Sequence, residues 1–202
     1  MEKKKLICVV GETKSGKDNT VGIAELLSRD FGDDIQLNEI RSYTTRPKRD
    51  NEENGREHFF ISEERAKELL ANNEVLAYTK IEDPESGNKG YEYFTLLSQL
   101  DYGNIYIIDP KGIESLEKHR DKIDFISVYI HSPFFIRRFR ARHFSDFKSE
   151  YFARVLNEKK QSREFRKKKK YDYRIENIQW FSYIAAFRFY LICKNFLSGE
   201  RK

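Results

Sequence analysis

At the start of the chain the spacing of apolar residues switches from one period to another. Leu6-Ile7-Cys8-Val9-Val10 is an unbroken apolar run that stops at Gly11, the pattern of a strand buried on both faces of a parallel sheet. From Val21 the spacing becomes helical: Val21, Ala24 and the pair Leu27/Ser28 recur on one side, and Ile23, Leu26 and Leu27 widen that face. A strand and helix over about 5–31 follow. A second strand is predicted at Ile35–Thr45, running into the basic loop RPKRDNEENGRE, and a short one at Phe59–Ile61. Ser62 suits the N-cap of a helix EERAKELLANN. Val75–Ile81 and Tyr91–Thr95 read as extended segments on either side of a polar loop, 82–90.

Downstream, Ile105-Tyr106-Ile107-Ile108 forms a buried strand that closes on Asp109, followed by a helix carrying Ile113 and Leu116. Phe125–Ile130 is a further core strand. Pro133 opens the helix FFIRRFRARHF, a long charged helix spans about 149–168, and Tyr171–Ile175 reads as the last strand. Strands alternating with helices predict an α/β fold with a parallel sheet core flanked by helices, whose site lies at the carboxyl ends of the strands. The whole chain, 1–202, reads as a single domain. Its core covers about 5–41 and 96–197, with a more extended region inserted over about 42–95.

Between the first strand and helix lies GETKSGKDNT, whose first seven residues fit G-x-x-x-x-G-K. A bare match of this kind arises by chance in roughly one chain in twenty, so context decides. Strand, Gly-containing loop and helix occur in the order that points backbone N–H groups and a helix N-terminus at phosphates. The phosphate-binding candidates are Gly11, Glu12, Thr13, Lys14, Ser15, Gly16, Lys17, Asp18 and Asn19. Asp18 stands where a Ser or Thr hydroxyl normally meets Mg²⁺. A carboxylate is also a hard oxygen ligand for that ion, Lys14 can offset its charge, and Thr20 offers a hydroxyl two residues on.

Bulk composition narrows the classes. The 202 residues are 39% hydrophobic and 35% charged, with a formal net charge of +5. That is polar for a globular chain, yet the apolar runs exclude disorder, and a basic balance suits phosphate-bearing ligands. Cys8 and Cys193 lie in apolar runs without metal-type spacing and read as buried, reduced thiols of a cytoplasmic protein. The apolar run behind MEKKK is too short for a signal peptide. Residues 180–197 approach the length of a membrane span, but Arg188 lies mid-segment, so a packed C-terminal helix is expected. The run Arg166-Lys167-Lys168-Lys169-Lys170 lacks the interleaved aromatics of a nucleic-acid platform and reads as solvated surface.

Arg41–Arg49, RSYTTRPKR, resembles the guanylate kinase signature S-x-T-T-R-x-x-R. The resemblance continues in Asn54-Gly55-Arg56-Glu57-His58-Phe59-Phe60, Tyr93-Phe94-Thr95, Asp109-Pro110-Lys111-Gly112 and Arg138-Phe139-Arg140-Ala141-Arg142, in order over about 5–177. It implies a nucleoside monophosphate kinase fold, with an NMP-binding insertion over about 42–95 and an Arg-rich lid over about 137–155, and transfer of phosphate from ATP, with Mg²⁺, to a monophosphate. GMP or dGMP leads, another ribo- or deoxynucleoside monophosphate or a small phosphorylated acceptor comes next, and neither a membrane nor a nucleic acid is an expected partner. On the same basis Ser42, Arg46, Arg49 and Tyr93 contact the acceptor phosphate, Thr95 contacts the base, Asp109 lies near acceptor and metal, and Asp18 and Asp109 are the metal candidates. Lys17, Arg138, Arg142 and Arg154 fall on catalytic cations. His58 stands where the family often has a phosphate-binding Tyr, and reads equally as a packed imidazole.

The chain departs from that pattern where the family has a base-reading Glu: the aligned residue is Ala77, and Glu82, Asp83, Glu85 and Glu92 are the acids that could replace it. The plainer readings are Asp109 as a strand-end turn residue and the arginines at 138, 140 and 142 as a solvated helix face. Two other function classes stay open. One is a binding module without activity, against which the retained Lys17, Arg138 and Arg142 count. The other is a nucleic-acid binder, which a steep salt dependence would reveal.

Overall fold

The computed structural model describes residues 3–32, 35–49, 52–82, 90–144, 155, 162–178 and 183–200. Its elements are β1 (Lys4–Val10), α1 (Lys17–Asp30), β2 (Tyr43–Thr44), β3 (Phe59–Phe60), α2 (Glu63–Asn72), β4 (Val75–Glu82), β5 (Gly90–Leu96), β6 (Ile105–Ile107), α3 (Pro110–Leu116), β7 (Ile123–His131), α4 (Phe134–Phe144), β8 (Tyr173–Glu176) and α5 (Tyr183–Ser198). Residues 162–167 are helical as well.

Four strands form the core sheet in the order β6-β1-β7-β8, every neighbouring pair parallel. Alternation along β1 explains why both faces are covered. Ile7 and Val9 pack with Val21, Ala24, Phe189 and Cys193 under α1 and α5. Leu6, Cys8 and Val10 pack on the opposite side with Ile113, Leu116, Phe125, Tyr129 and Phe165. Each fully buried aliphatic side chain stabilises the fold by about 1.5–3 kcal/mol. Because the strands run the same way, the ends of β1, β6, β7 and β8 bring residues 11–16, Asp109, Ser132 and Asn177 to one edge.

A second sheet, β3-β2-β5-β4, is built from residues between α1 and β6. It packs Phe94 and Leu96 against Ala66 of α2. Ser62 caps α2 as expected, accepting from the Arg65 N–H at 3.2 Å.

The predicted strand at 35–45 is mostly absent. Its only ladder residues are Tyr43–Thr44 and an isolated bridge between Glu39 and Ile105. A strand needs a continuous partner, and this segment has two in succession. It touches β6 through Ile40 N–H to the Ile105 carbonyl, then leaves to join the second sheet. The long helix expected at 149–168 falls largely outside the described residues, as does the first part of the helix expected at 180–197. Among the described residues no helix is long and apolar enough to cross a membrane.

Candidate functional site

The loop between β1 and α1 is shaped by close approach. A Cβ on Gly11 would lie 2.5 Å from Ser15 Oγ and 2.9 Å from the Ile130 carbonyl oxygen. Lys14 and Gly16 both have positive φ, +62° and +86°, a conformation that Gly adopts freely and Lys only with strain. The Ser15 N–H turns back to the Glu12 carbonyl at 2.9 Å. Gly16 then starts α1 with no side chain capping its first turn, so the positive end of the helix dipole is open to an anion. Gly11→Ala is therefore expected to lower the melting temperature and weaken nucleotide binding together; a thermal melt with and without MgATP checks both.

The side chains of the loop divide into two groups. Glu12 turns inward and is only 5% exposed. Its carboxylate accepts from the Tyr129 hydroxyl at 3.2 Å and pairs with Arg137 at 3.4 Å and Arg166 at 3.7 Å. Only its backbone is left to face a ligand. Lys17 Nζ lies 3.8 Å from Asp18 Oδ2, and the Asp18 side chain is 78% exposed. Asn19 is exposed beside it. Burial lowers the Lys14 ammonium from its ordinary range, Asp18 opposes that, and Lys17 adds to it. Thr20 is fully buried, so its hydroxyl is not available to a metal.

Helix α4 has two arginine faces. Arg138 and Arg142 are exposed. Arg137 is 6% exposed, and Arg140 faces the loop as well. Arg140 Nη1 donates to the Ser15 carbonyl at 2.9 Å, and Asn177 Nδ2 donates to the same oxygen at 2.9 Å. Arg140 therefore does not belong to a solvated face with Arg138 and Arg142. Arg154 lies outside the described residues.

A separate polar cluster sits on the second sheet. Arg46 Nε donates to the Tyr93 hydroxyl at 3.0 Å, and its Nη2 meets Glu52 at 2.8 Å. Ser42 Oγ and His58 Nδ1 are 2.8 Å apart, and the His58 ring meets Tyr93 edge-on. Burial, with Arg46 adding to it, holds the His58 imidazole below its ordinary pKa. Arg49 is more open and lies 3.8 Å from Glu52. Burial alone would raise the Glu52 carboxyl; bonds from the Arg46 side chain and the Arg49 backbone outweigh it and hold the group below the usual carboxylate range. Ser42, Arg46, Arg49, His58 and Tyr93 are thus gathered together, with Glu52 as a member that motif reading did not single out.

The residues expected on the base side share the same sheet. Residues directly opposite on neighbouring strands share a face, and Ala77 opposes Thr95 while Thr79 opposes Tyr93. Glu92 lies on the other face, where its carboxylate accepts from the Tyr78 hydroxyl at 2.8 Å, so it is not a replacement acid beside Ala77. Asp83 and Glu85 fall outside the described residues. Thr95 is fully buried, with Tyr106 as a hydroxyl neighbour. Asp109 caps α3, its Oδ1 accepting from the Gly112 N–H at 2.7 Å.

Among the described residues no group of three or more His, Cys, Asp or Glu is placed to hold a metal ion by itself. Mg²⁺ does not need one: it commonly takes one or two protein carboxylates and fills its shell with phosphate oxygens and water. Asp18, at the open first turn of α1, suits that donor set.

Comparison with known proteins gives a consistent result. A family model described as guanylate kinase matches residues 3–182. A guanylate kinase of Mycoplasmopsis pulmonis (strain UAB CTIP) is 29% identical over 140 residues, 67% of this chain and 67% of that protein. The crystal structure of guanylate kinase from Anaplasma phagocytophilum is similar in fold, with a TM-score of 0.56 and 20% identity, covering 99% of this chain and 88% of that one.

Proposed function

This chain belongs to the guanylate kinase family, and from that premise we propose that it transfers the terminal phosphoryl group of ATP to a nucleoside monophosphate, with GMP or dGMP as the leading acceptor. The observation that carries this reading is the pairing of two sites in one chain. One is an open helix N-terminus behind a Gly-containing loop with Lys17 at its mouth. The other is the cluster of Ser42, Arg46, His58 and Tyr93 on the second sheet. Two anion sites of this kind suit a donor and an acceptor that both carry phosphate.

In this reading the loop backbone and the first turn of α1 hold the ATP phosphates. Lys17 gathers charge on the transferring group, and the exposed Arg138 and Arg142 add cations from the lid, with Arg154 a further candidate. An oxygen of the acceptor phosphate attacks the γ-phosphorus in line. The bond to the β–γ bridging oxygen breaks, and ADP leaves with the electron pair. No covalent enzyme intermediate is needed, because phosphoryl transfer is chiefly positioning and charge stabilisation. Asp18 would hold Mg²⁺, with Asp109 as the second candidate; the ion would neutralise charge on the donor phosphates. A cytoplasmic location goes with this reading, as does the division into core, acceptor-binding insertion and lid.

The second reading concerns the base. Ala77 is 3% exposed and opposes Thr95, and a methyl group cannot accept hydrogen bonds from guanine. A site that reads polar base edges gains selectivity of ~10⁴-fold or more, so losing the acceptor relaxes it. The test is ADP release from MgATP across a panel of ribo- and deoxynucleoside monophosphates. A GMP or dGMP preference of tenfold or more supports the first reading. Comparable rates across purines, or a different preferred base, support the second. Silence with every acceptor rejects both.

A further inference from the structure

The inner face of α4 carries buried Arg137 and half-buried Arg140 beside the fully buried Ala141. Arg137 and Arg140 project from adjacent turns toward the loop, while Phe134 and Phe135 of the same helix are 47% and 71% exposed. This departs from the usual arrangement, in which large apolar residues face inward and charged ones outward. The surface that α4 meets explains it. Arg137 Nε donates to the Ser132 carbonyl at 3.1 Å, and its Nη1 reaches the Thr13 carbonyl at 3.4 Å. Arg140 Nη1 reaches the carbonyls of Lys14 at 3.4 Å and Ser15 at 2.9 Å, and the Ser132 hydroxyl at 3.3 Å. Arg140 Nη2 bonds both oxygens of Asn177, at 3.2 and 3.3 Å. Asn177 is 1% exposed and spends its own Nδ2 on the Ser15 carbonyl.

Peptide planarity converts these contacts into an orientation. In a trans peptide the carbonyl of one residue and the N–H of the next point in opposite directions. Carbonyls of Thr13, Lys14 and Ser15 drawn toward α4 therefore turn the N–H groups of Lys14, Ser15 and Gly16 away from it. The Ser15 N–H is spent on Glu12. Those of Lys14 and Gly16 are turned away from α4. The strained +62° φ of Lys14 lies within the clamped stretch, and such a backbone persists only where its surroundings over-determine it.

We infer that Arg140 and Asn177, supported by Arg137, are positioning residues for the donor phosphates, acting through the loop by holding its carbonyls back so that its N–H groups face the nucleotide. This rests on the loop being the donor-phosphate site. A guanidinium fork suits the task, because it serves several carbonyl oxygens at once from a fixed plane.

The experiment compares wild type, Arg140→Met, Arg140→Lys, Asn177→Ala and Lys17→Ala. Calorimetry measures binding of ATP and of inorganic tripolyphosphate, and kinetics measures KM for ATP and for the acceptor. Arg140→Met is expected to raise the Kd for ATP and tripolyphosphate at least tenfold, with acceptor KM within about twofold of wild type. Arg140→Lys is expected to recover part of the loss, and Asn177→Ala to weaken both probes about three- to tenfold. If wild type binds ATP and Arg140→Met and Asn177→Ala bind it equally well, the inference is overturned. Equal losses for ATP and acceptor, with a lowered melting temperature, overturn it too, since that is general destabilisation. Should Arg140→Met fail to fold, Asn177→Ala decides by the same criteria. Failure of the underlying site reading looks different: wild type would bind neither probe, and Lys17→Ala would leave turnover unchanged.

Discussion

Lys17→Ala is expected to lower turnover by about a thousandfold or more, while the acceptor monophosphate still binds with near wild-type affinity. Lys17 is the first residue of α1, and its side chain is 21% exposed, with Asp18 as its charge partner. Without it, the transferring phosphoryl group loses a cation in a site where charge stabilisation supplies most of the rate. The Asp18 carboxylate also loses its Lys17 partner, leaving Lys14 as the neighbouring cation. Acceptor binding should hardly change, because Ser42, Arg46, His58 and Tyr93 belong to the second sheet and not to the loop. ADP release at saturating substrates measures the first effect, and calorimetric titration with the monophosphate measures the second. Turnover equal to wild type would remove the phosphate-loop assignment.

Arg46→Ala acts at the other end of the reaction. It is expected to lower kcat/KM for the acceptor about 10²–10³-fold, as for loss of a charge-assisted contact to a reacting group, with KM for ATP within about twofold. Arg46 is the hub of its cluster: it holds Tyr93 and Glu52 together. Its removal also takes from Glu52, whose side chain is 14% exposed, its nearest cation and leaves it only Arg49 at 3.8 Å, so that carboxylate would repel an incoming phosphate more strongly. Arg46→Ala/Glu52→Gln separates the two effects, because recovery of part of the lost kcat/KM in the double variant measures the effect of the Glu52 charge. Arg46→Lys keeps the charge but not the fork, and falls between. If the single variant changed only the ATP parameters, the acceptor site would have to be placed elsewhere.

Much of this arrangement is legible in the sequence, for identifiable reasons. The unbroken run at 6–10 and the helical spacing from Val21 each report a local period, and both elements form where expected. Ser62 is legible because capping is a property of a few consecutive residues. The segment 35–45 misleads because its pairing is decided by distant partners, Ile105 first and β5 later. Glu12 and Arg140 mislead for a different reason. Glu12 reads as a phosphate neighbour from its place in the loop and Arg140 as surface from its place on a helix, yet the Glu12 carboxylate pairs with Arg137 and Arg140 bonds the loop carbonyls. Two arginine pairs, 137/140 and 138/142, both fit helical spacing, so no period tells which one is buried. Glu52 is missed because its task is to hold Arg46, and that depends on a fold the motif does not describe.

The bonds that hold the loop also set when it can exist during synthesis. Its contacts to Arg137, Arg140 and Asn177 span sequence separations of 124, 125 and 162 residues. At translation rates of about 5–20 residues per second, the loop precedes its last tether by roughly 8–30 s. Through that interval the loop proposed to hold the donor phosphates lacks the contacts that fix its shape. On the proposed reading, full stabilisation by bound nucleotide, which requires a state that binds, thus awaits a chain extended through Asn177.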